Sequence, residues 1–296
     1  MTDYLENLEH VRCSAASYLR AKGIDERYLA FTDVGDVPQR ALTVPTDVRS
    51  EFLANRAMGD WAEDILANAF GTQSDRTIVR YGDSDTIAAG EEGFRNFYLS
   101  RLDDVRQYGK RPDLLMFAST DIPTDASGIG TEALMGQARL ASCAIEVRSS
   151  KFEAQKYMQA RTEEWAQGRR GIRMSPSFTV KVEDLIIVHR WLRHHAVPQF
   201  YVQVFFDSAY CISVLDIFAA LRDRNDITIE KNANNQLKAT IHIPITQGVK
   251  IGVINPIPEF QVKERVTRLG RHDAYVEPVG GQLTLDPEQI RTVGLV

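Results

Sequence analysis

The 296-residue chain carries only three cysteines, Cys13, Cys143 and Cys211, too few and too scattered for a disulfide framework or a zinc site. A reducing compartment is the expectation. No stretch approaches the roughly 18 consecutive apolar residues of a membrane span. The opening "MTDYLENLEHVRCSAASYL" has early acids and no apolar core, so it does not read as a secretory signal, and a cytoplasmic location is expected. Positive charge is not in excess: 35 Lys and Arg face 40 Asp and Glu, for a net charge of −5. That excludes a simple basic coat for nucleic acid, but a cleft can be basic locally while carboxylates elsewhere lower the total. Internal repeats and low-complexity segments are also absent.

What is present is an ordinary globular composition, 44% hydrophobic and 25% charged, and enough chain for a well-buried core. Residues 1–30 read as a helix. From about Ser50, Phe52, Leu53, Met58, Trp61, Ile65, Leu66 and Phe70 recur near the helical period. "RTIVRYG", "DLLMF" and "CAIEVRS" read as short strands, the last leading into a helix, "KFEAQKYMQARTEEWAQ". "FTVKVEDLIIVHRWLRHH" mixes strand and helix character without a clear boundary. "QFYVQVFFDSAYCISV" has the composition of a buried strand, and "LDIFAALRD" reads as a helix. The last seventy residues read as hairpins and loops. One mixed α/β domain is expected: a helical N-terminal extension (1–50), a core (51–220) and a β-rich region (221–296).

Two stretches mix charge into apolar runs, "KRPDLLMF" and "AIEVRSSK". Alternation along a strand puts Ala144, Glu146 and Arg148 on one face and Ile145, Val147 and Ser149 on the other. Burying a carboxylate and a guanidinium together is costly unless they pair or bind something. Asp113 follows Pro112 at the start of its strand, where the ladder does not need the missing N–H. Two or three carboxylates can hold Mg²⁺ through oxygen, and a nearby cation can stabilise developing charge on a phosphate.

Pro112-Asp113 followed by Glu146-Val147-Arg148-Ser149-Ser150-Lys151 resembles the signature of PD-(D/E)xK nucleases, the superfamily of many type II restriction endonucleases. "EVRSS" followed by a helix resembles, more narrowly, AccI-like restriction enzymes. The resemblance covers roughly residues 55–220. It implies a restriction-endonuclease-like core: a central mixed β-sheet flanked by helices, here with N-terminal helical and C-terminal β additions. It also implies Mg²⁺ as cofactor, double-stranded DNA cut at a short palindromic sequence, a homodimer, and a bacterial or archaeal source. By the same resemblance Asp113 and Glu146 hold the metal, and Glu63 on the preceding helix assists. The chain departs from the pattern at the lysine, because Arg148 stands there and Lys151 lies three residues on. Two registers are open. In the favoured one Glu146 is the second acid, with Arg148 or Lys151 as the cation. In the other, Ser149-Ser150-Lys151 resembles the S-x-K form of CCGG-recognising enzymes, with Glu164 as the migrated acid. Arginine cannot serve as a base at ordinary pH, so its part would be electrostatic.

Other charged features have plainer explanations. Arg169, Arg170 and Arg173 form a basic turn that is either a surface loop or a phosphate clamp. Arg222-Asp223-Arg224 resembles a guanine-reading element of CCGG enzymes, but reads better as a favourably charged helix end. His194-His195 reads as a solvated helix end, and 232–235 as a hairpin turn. Two rivals to a restriction enzyme stay open: a repair or recombination nuclease of the same fold, and a non-catalytic DNA-binding protein that has lost its lysine at position 148.

Overall fold

The computed structural model describes residues 2–24, 50–72, 76–82, 93–118, 136–223, 227–232, 235–267 and 270–295. Its centre is a seven-stranded mixed sheet in the order β1-β2-β3-β5-β6-β9-β12. The strands are β1 (Arg76–Arg80), β2 (Leu114–Ala118), β3 (Cys143–Ser149), β5 (Gln199–Val204), β6 (Ser208–Ser213), β9 (Val249–Ile254) and β12 (Leu283–Leu285). β3 and β5 pair in parallel, and the other neighbours are antiparallel. A second, three-stranded sheet, β4 (Ser177–Lys181), β8 (Asn235–Pro244) and β7 (Thr228–Asn232), buries Phe178, Val180, Ile241 and Ile243 in the same core, and a two-stranded ribbon of β10 (Glu259–Val266) and β11 (His272–Val279) packs against the helix Ser50–Gly71.

Helices cover both faces of the central sheet. On one face α1 (Thr2–Ala21), α5 (Val182–His195) and α6 (Val214–Asp223) pack with Leu115, Phe117, Ala144 and Tyr201. On the other, α2 (Ser50–Gly71) lays Met58, Trp61, Ile65 and Leu66 over Leu114, Met116, Ile145 and Val147. Because β2 is covered on both faces, Leu114, Leu115, Met116 and Phe117 are all buried, and the strand appears in the sequence as a continuous apolar run. α3 (Phe94–Tyr108) precedes β2, α4 (Ala154–Ala166) follows β3, and α7 (Pro287–Thr292) closes the chain.

Three expectations change. "QFYVQVFFDSAYCISV" is a hairpin of β5 and β6: Phe205 N–H donates to the Ser208 carbonyl at 2.8 Å, and Asp207 turns the chain. The ambiguous segment after Pro176 divides at Lys181/Val182 into β4 and α5. The C-terminal region also completes the central sheet, since β9 and β12 are two of its strands. Ahead of β3, residues 136–140 make a single turn ending in a 3₁₀ segment, Ala138–Leu140.

Candidate active site

Asp113 stands at the foot of β2. Its carbonyl accepts from the N–H groups of Tyr81 (2.9 Å) and Gly82 (3.0 Å), which ties it to the end of β1. A Cβ at Gly82 would lie 3.2 Å from the Asp113 Cα, a tight contact that a larger residue could make only if the backbone at Asp113 gave by a few tenths of an ångström. The side chain is held as well: Asp113 Oδ2 accepts from Val147 N–H at 2.6 Å. On β3, Leu114 is in register with Ile145, so Glu146 lies beside Asp113 across the strand pair. Glu146 is 1% exposed, on the α5 side of the sheet.

Two cations converge on one oxygen of this buried acid. Arg148 Nη2 lies 3.0 Å from Glu146 Oε1, and Lys110 Nζ is ion-paired with the same oxygen. Both cations also face Asp184 Oδ2 in the first turn of α5, Arg148 at 3.3 Å and Lys110 at 3.8 Å. Lys110 is anchored to that helix through its own N–H, which donates to the Ile187 carbonyl at 2.9 Å. The preceding Gly109, at φ +89°, approaches α5 so closely that a Cβ would sit 2.3 Å from the Ile187 carbonyl oxygen.

These residues open on a cleft of about 650 Å³ lined by Asp113, Lys110, Arg148, Arg111, Arg80 and, from α2, Asn55, Arg56, Asp60 and Glu63. Glu63 lies 3.6 Å from Arg80. Burial, with help from neighbouring acids including Glu146, still pushes its carboxyl up to about 7. Burial and then the charge of Glu146 likewise push Asp113 well above the usual carboxylate range. Against the cost of burial, the charge of Glu146 holds Lys110 and Arg148 above their ordinary values. Glu63 and Asp113 are thus held back from ionising, beside cations that pair with Glu146 and, in Arg80, with Glu63 itself.

The other candidates lie elsewhere. Lys151 falls in the turn after β3 and leaves on the α2 side, exposed, where its Nζ donates to Asn55 Oδ1 at 2.9 Å. Glu164, on α4, pairs with Arg161 at 2.8 Å and Arg169 at 3.2 Å, contacts that belong to its own helix and the following turn. Arg170 donates to the Trp165 carbonyl at 2.6 Å and stacks on that ring, and Arg173 donates to Thr228 Oγ1 at 3.1 Å. Arg222 is in the last turn of α6, while Arg224 lies outside the described residues, as do 233 and 234 of the β7–β8 turn. His194 is exposed as expected, but His195 is not solvated. It is 7% exposed against Trp191, with ring centroids 4.7 Å apart, because the end of α5 is folded into the core. Burial pushes its pKa down to about 4.

Sequence reasoning missed Lys110, Asp184 and Arg80. Lys110 stood in plain view three residues before Asp113, but it precedes the strand and obeys no strand alternation. Asp184 lay in the segment whose strand–helix boundary was not legible.

Asp113 and Glu146 offer an all-oxygen donor pair that suits Mg²⁺, and Glu146 Oε2 is buried with no hydrogen-bond partner among the described residues. Among the described residues no three Asp, Glu, His or Cys side chains form a closed metal cage. Mg²⁺ does not require one, since it commonly keeps several waters and takes one or two carboxylates with phosphate oxygens.

The AccI restriction endonuclease family model matches the chain over residues 27–175 and 170–295. No curated protein and no solved structure matches the chain.

Proposed function

The chain belongs to the AccI restriction endonuclease family, and from that premise we propose that it is a type II enzyme of PD-(D/E)xK type, hydrolysing double-stranded DNA at a short palindromic sequence with Mg²⁺. The observation that carries this reading is a cleft lined by Asp113, Lys110, Arg148 and Glu63, with the buried Glu146 paired to both of its cations. Bound to Asp113 and Glu146, Mg²⁺ would supply Lewis-acid polarisation of the phosphate and a more acidic water.

The remaining work falls to side chains. Asp113 is aimed by the Val147 N–H, so its carboxylate is oriented before any substrate arrives. Lys110 and Arg148 supply the fixed positive charge that a pentavalent phosphate develops against. Lys110 therefore takes the electrostatic part expected of Arg148 or Lys151, jointly with Arg148. Glu63 is half-buried with its carboxyl raised to about 7, which suits a group that accepts a proton from water near neutral pH. Lys151, at the rim beside Asn55, is assigned no part in the chemistry.

A palindromic target has two-fold symmetry, so a homodimer with one centre per strand is the working assembly. The surface we assign to the second copy is the outer face of the β10–β11 ribbon, where Phe260, Val262 and Val266 are 50%, 64% and 61% exposed. The ribbon already packs against α2, where Ser50 hydrogen-bonds to Asp273, and covering its exposed apolar side chains would stabilise it further.

The test is digestion of plasmid DNA with purified protein and Mg²⁺. Discrete fragments that vanish with Asp113→Ala are expected. Undiminished cutting by that variant, or no fragments on several substrates, would overturn the reading.

A further inference from the structure

Glu146 holds two cations on one oxygen while its other oxygen is buried with no hydrogen-bond partner among the described residues. As long as Lys110 and Arg148 both sit on Glu146, a divalent cation approaching that carboxylate meets two positive charges. The cations need another acceptor within reach. Asp113 is occupied differently, with Oδ2 accepting from Val147 N–H. Asp184 is the acid that faces both cations, and it does so through a single oxygen, Oδ2. Its position is fixed by the fold: Val182, Leu185 and Ile186 around it on α5 are buried in the core.

Resting on the metal site proposed above, we infer that Asp184 is a positioning residue that draws Lys110 and Arg148 away from Glu146, leaving that carboxylate able to take a divalent cation while keeping both positive charges beside the site. Asp184 itself holds no metal. Its effect runs through the two side chains it shares with Glu146, as an outer partner tunes a metal ligand.

The experiment is calorimetric titration of Mn²⁺ into the full chain without DNA, for wild type, Asp113→Ala, Asp184→Asn, Lys110→Met and the Asp184→Asn/Lys110→Met double variant. Thermal melts check folding, and Asp184→Ser replaces Asp184→Asn if that variant does not fold. Asp184→Asn should weaken Mn²⁺ binding by about tenfold or more, the scale of losing an outer partner. Lys110→Met should restore a measurable part of that loss in the double variant, because one of the two competing cations is then gone and only Arg148 remains on Glu146. A merely structural or long-range role for Asp184 predicts no such rescue. Wild-type affinity in Asp184→Asn, or additive losses in the double variant, would overturn the inference while leaving the metal site standing. No Mn²⁺ binding by wild type, or equal binding by Asp113→Ala, would overturn the metal site itself and the inference with it.

Discussion

Lys110 and Glu146 are ion-paired although they lie 36 positions apart in the chain and on opposite sides of the β2–β3 step. Lys110, on the segment leading into β2, thus brings an ammonium group to the same carboxylate oxygen that Arg148 faces from β3. Replacing it with Met should lower DNA cleavage at saturating Mg²⁺ by about 10²–10³-fold, the scale of losing one preorganised group facing transition-state charge. Lys151→Met removes only an exposed contact to Asn55, and should change the rate by less than about fivefold, as surface contacts are worth at most about 1 kcal/mol. Initial rates on supercoiled plasmid check both, and a reversed order of effects would return the lysine role to Lys151.

Glu63 trades stability for its place in the cleft. Its folded pKa is raised from 4.5 to about 7, so the native state binds more protons than the unfolded chain between those values. Stability linked to this group is full below about pH 4.5 and is lost as pH rises to about 7. Glu63→Gln should therefore be more stable than wild type at pH 8, by on the order of 1–2 kcal/mol, and nearly equal to it at pH 4.5. It should also cleave more slowly. Urea unfolding at the two pH values reads the first effect, and a variant no more stable at pH 8 would contradict it.

His195 has the opposite sign. Its folded pKa is lowered from 6.5 to about 4, so below pH 6.5 the unfolded chain takes up the proton that the buried imidazole refuses. Stability from this group is present above 6.5 and lost as pH falls to about 4. His195→Leu should flatten the decline in unfolding midpoint across that window and leave the site's geometry alone. An unchanged slope would mean that other groups dominate the acid limb.

Val262 is the most exposed apolar side chain of the ribbon face assigned to the second copy. Val262→Lys should shift the protein from dimer to monomer in sedimentation velocity without lowering its melting temperature by more than about 1 °C, since surface substitutions seldom exceed 0.5 kcal/mol. A dimer that survives this change, and Phe260→Lys as well, would exclude the ribbon as the interface.

The architecture was legible where burial imposes a period or a run. "EFLANRAMGDWAEDILANAF" announces α2 because one face of that helix meets the sheet. "DLLMF" announces β2 because both its faces are covered. The β5–β6 hairpin was not legible, because two fully buried strands read as one apolar stretch and a single Asp207 marks the turn between them. His195 misled because a histidine pair at a helix end looks polar, and only the packing of Trp191 and the core around it makes the second ring an interior one.

The site divides in the same way. Residue types and strand alternation sufficed to single out Asp113 and Glu146, since a carboxylate inside an apolar run must be satisfied by something, and alternation sets which face it takes. The partner cations and acid depend on distances through space. Lys110 reaches Glu146 because Gly109 lets the chain press against α5, and Asp184 joins them because α5 starts at Lys181/Val182. Those are matters of close approach between segments remote in sequence, so which cations meet Glu146 was decided by the packing of α5 onto the sheet.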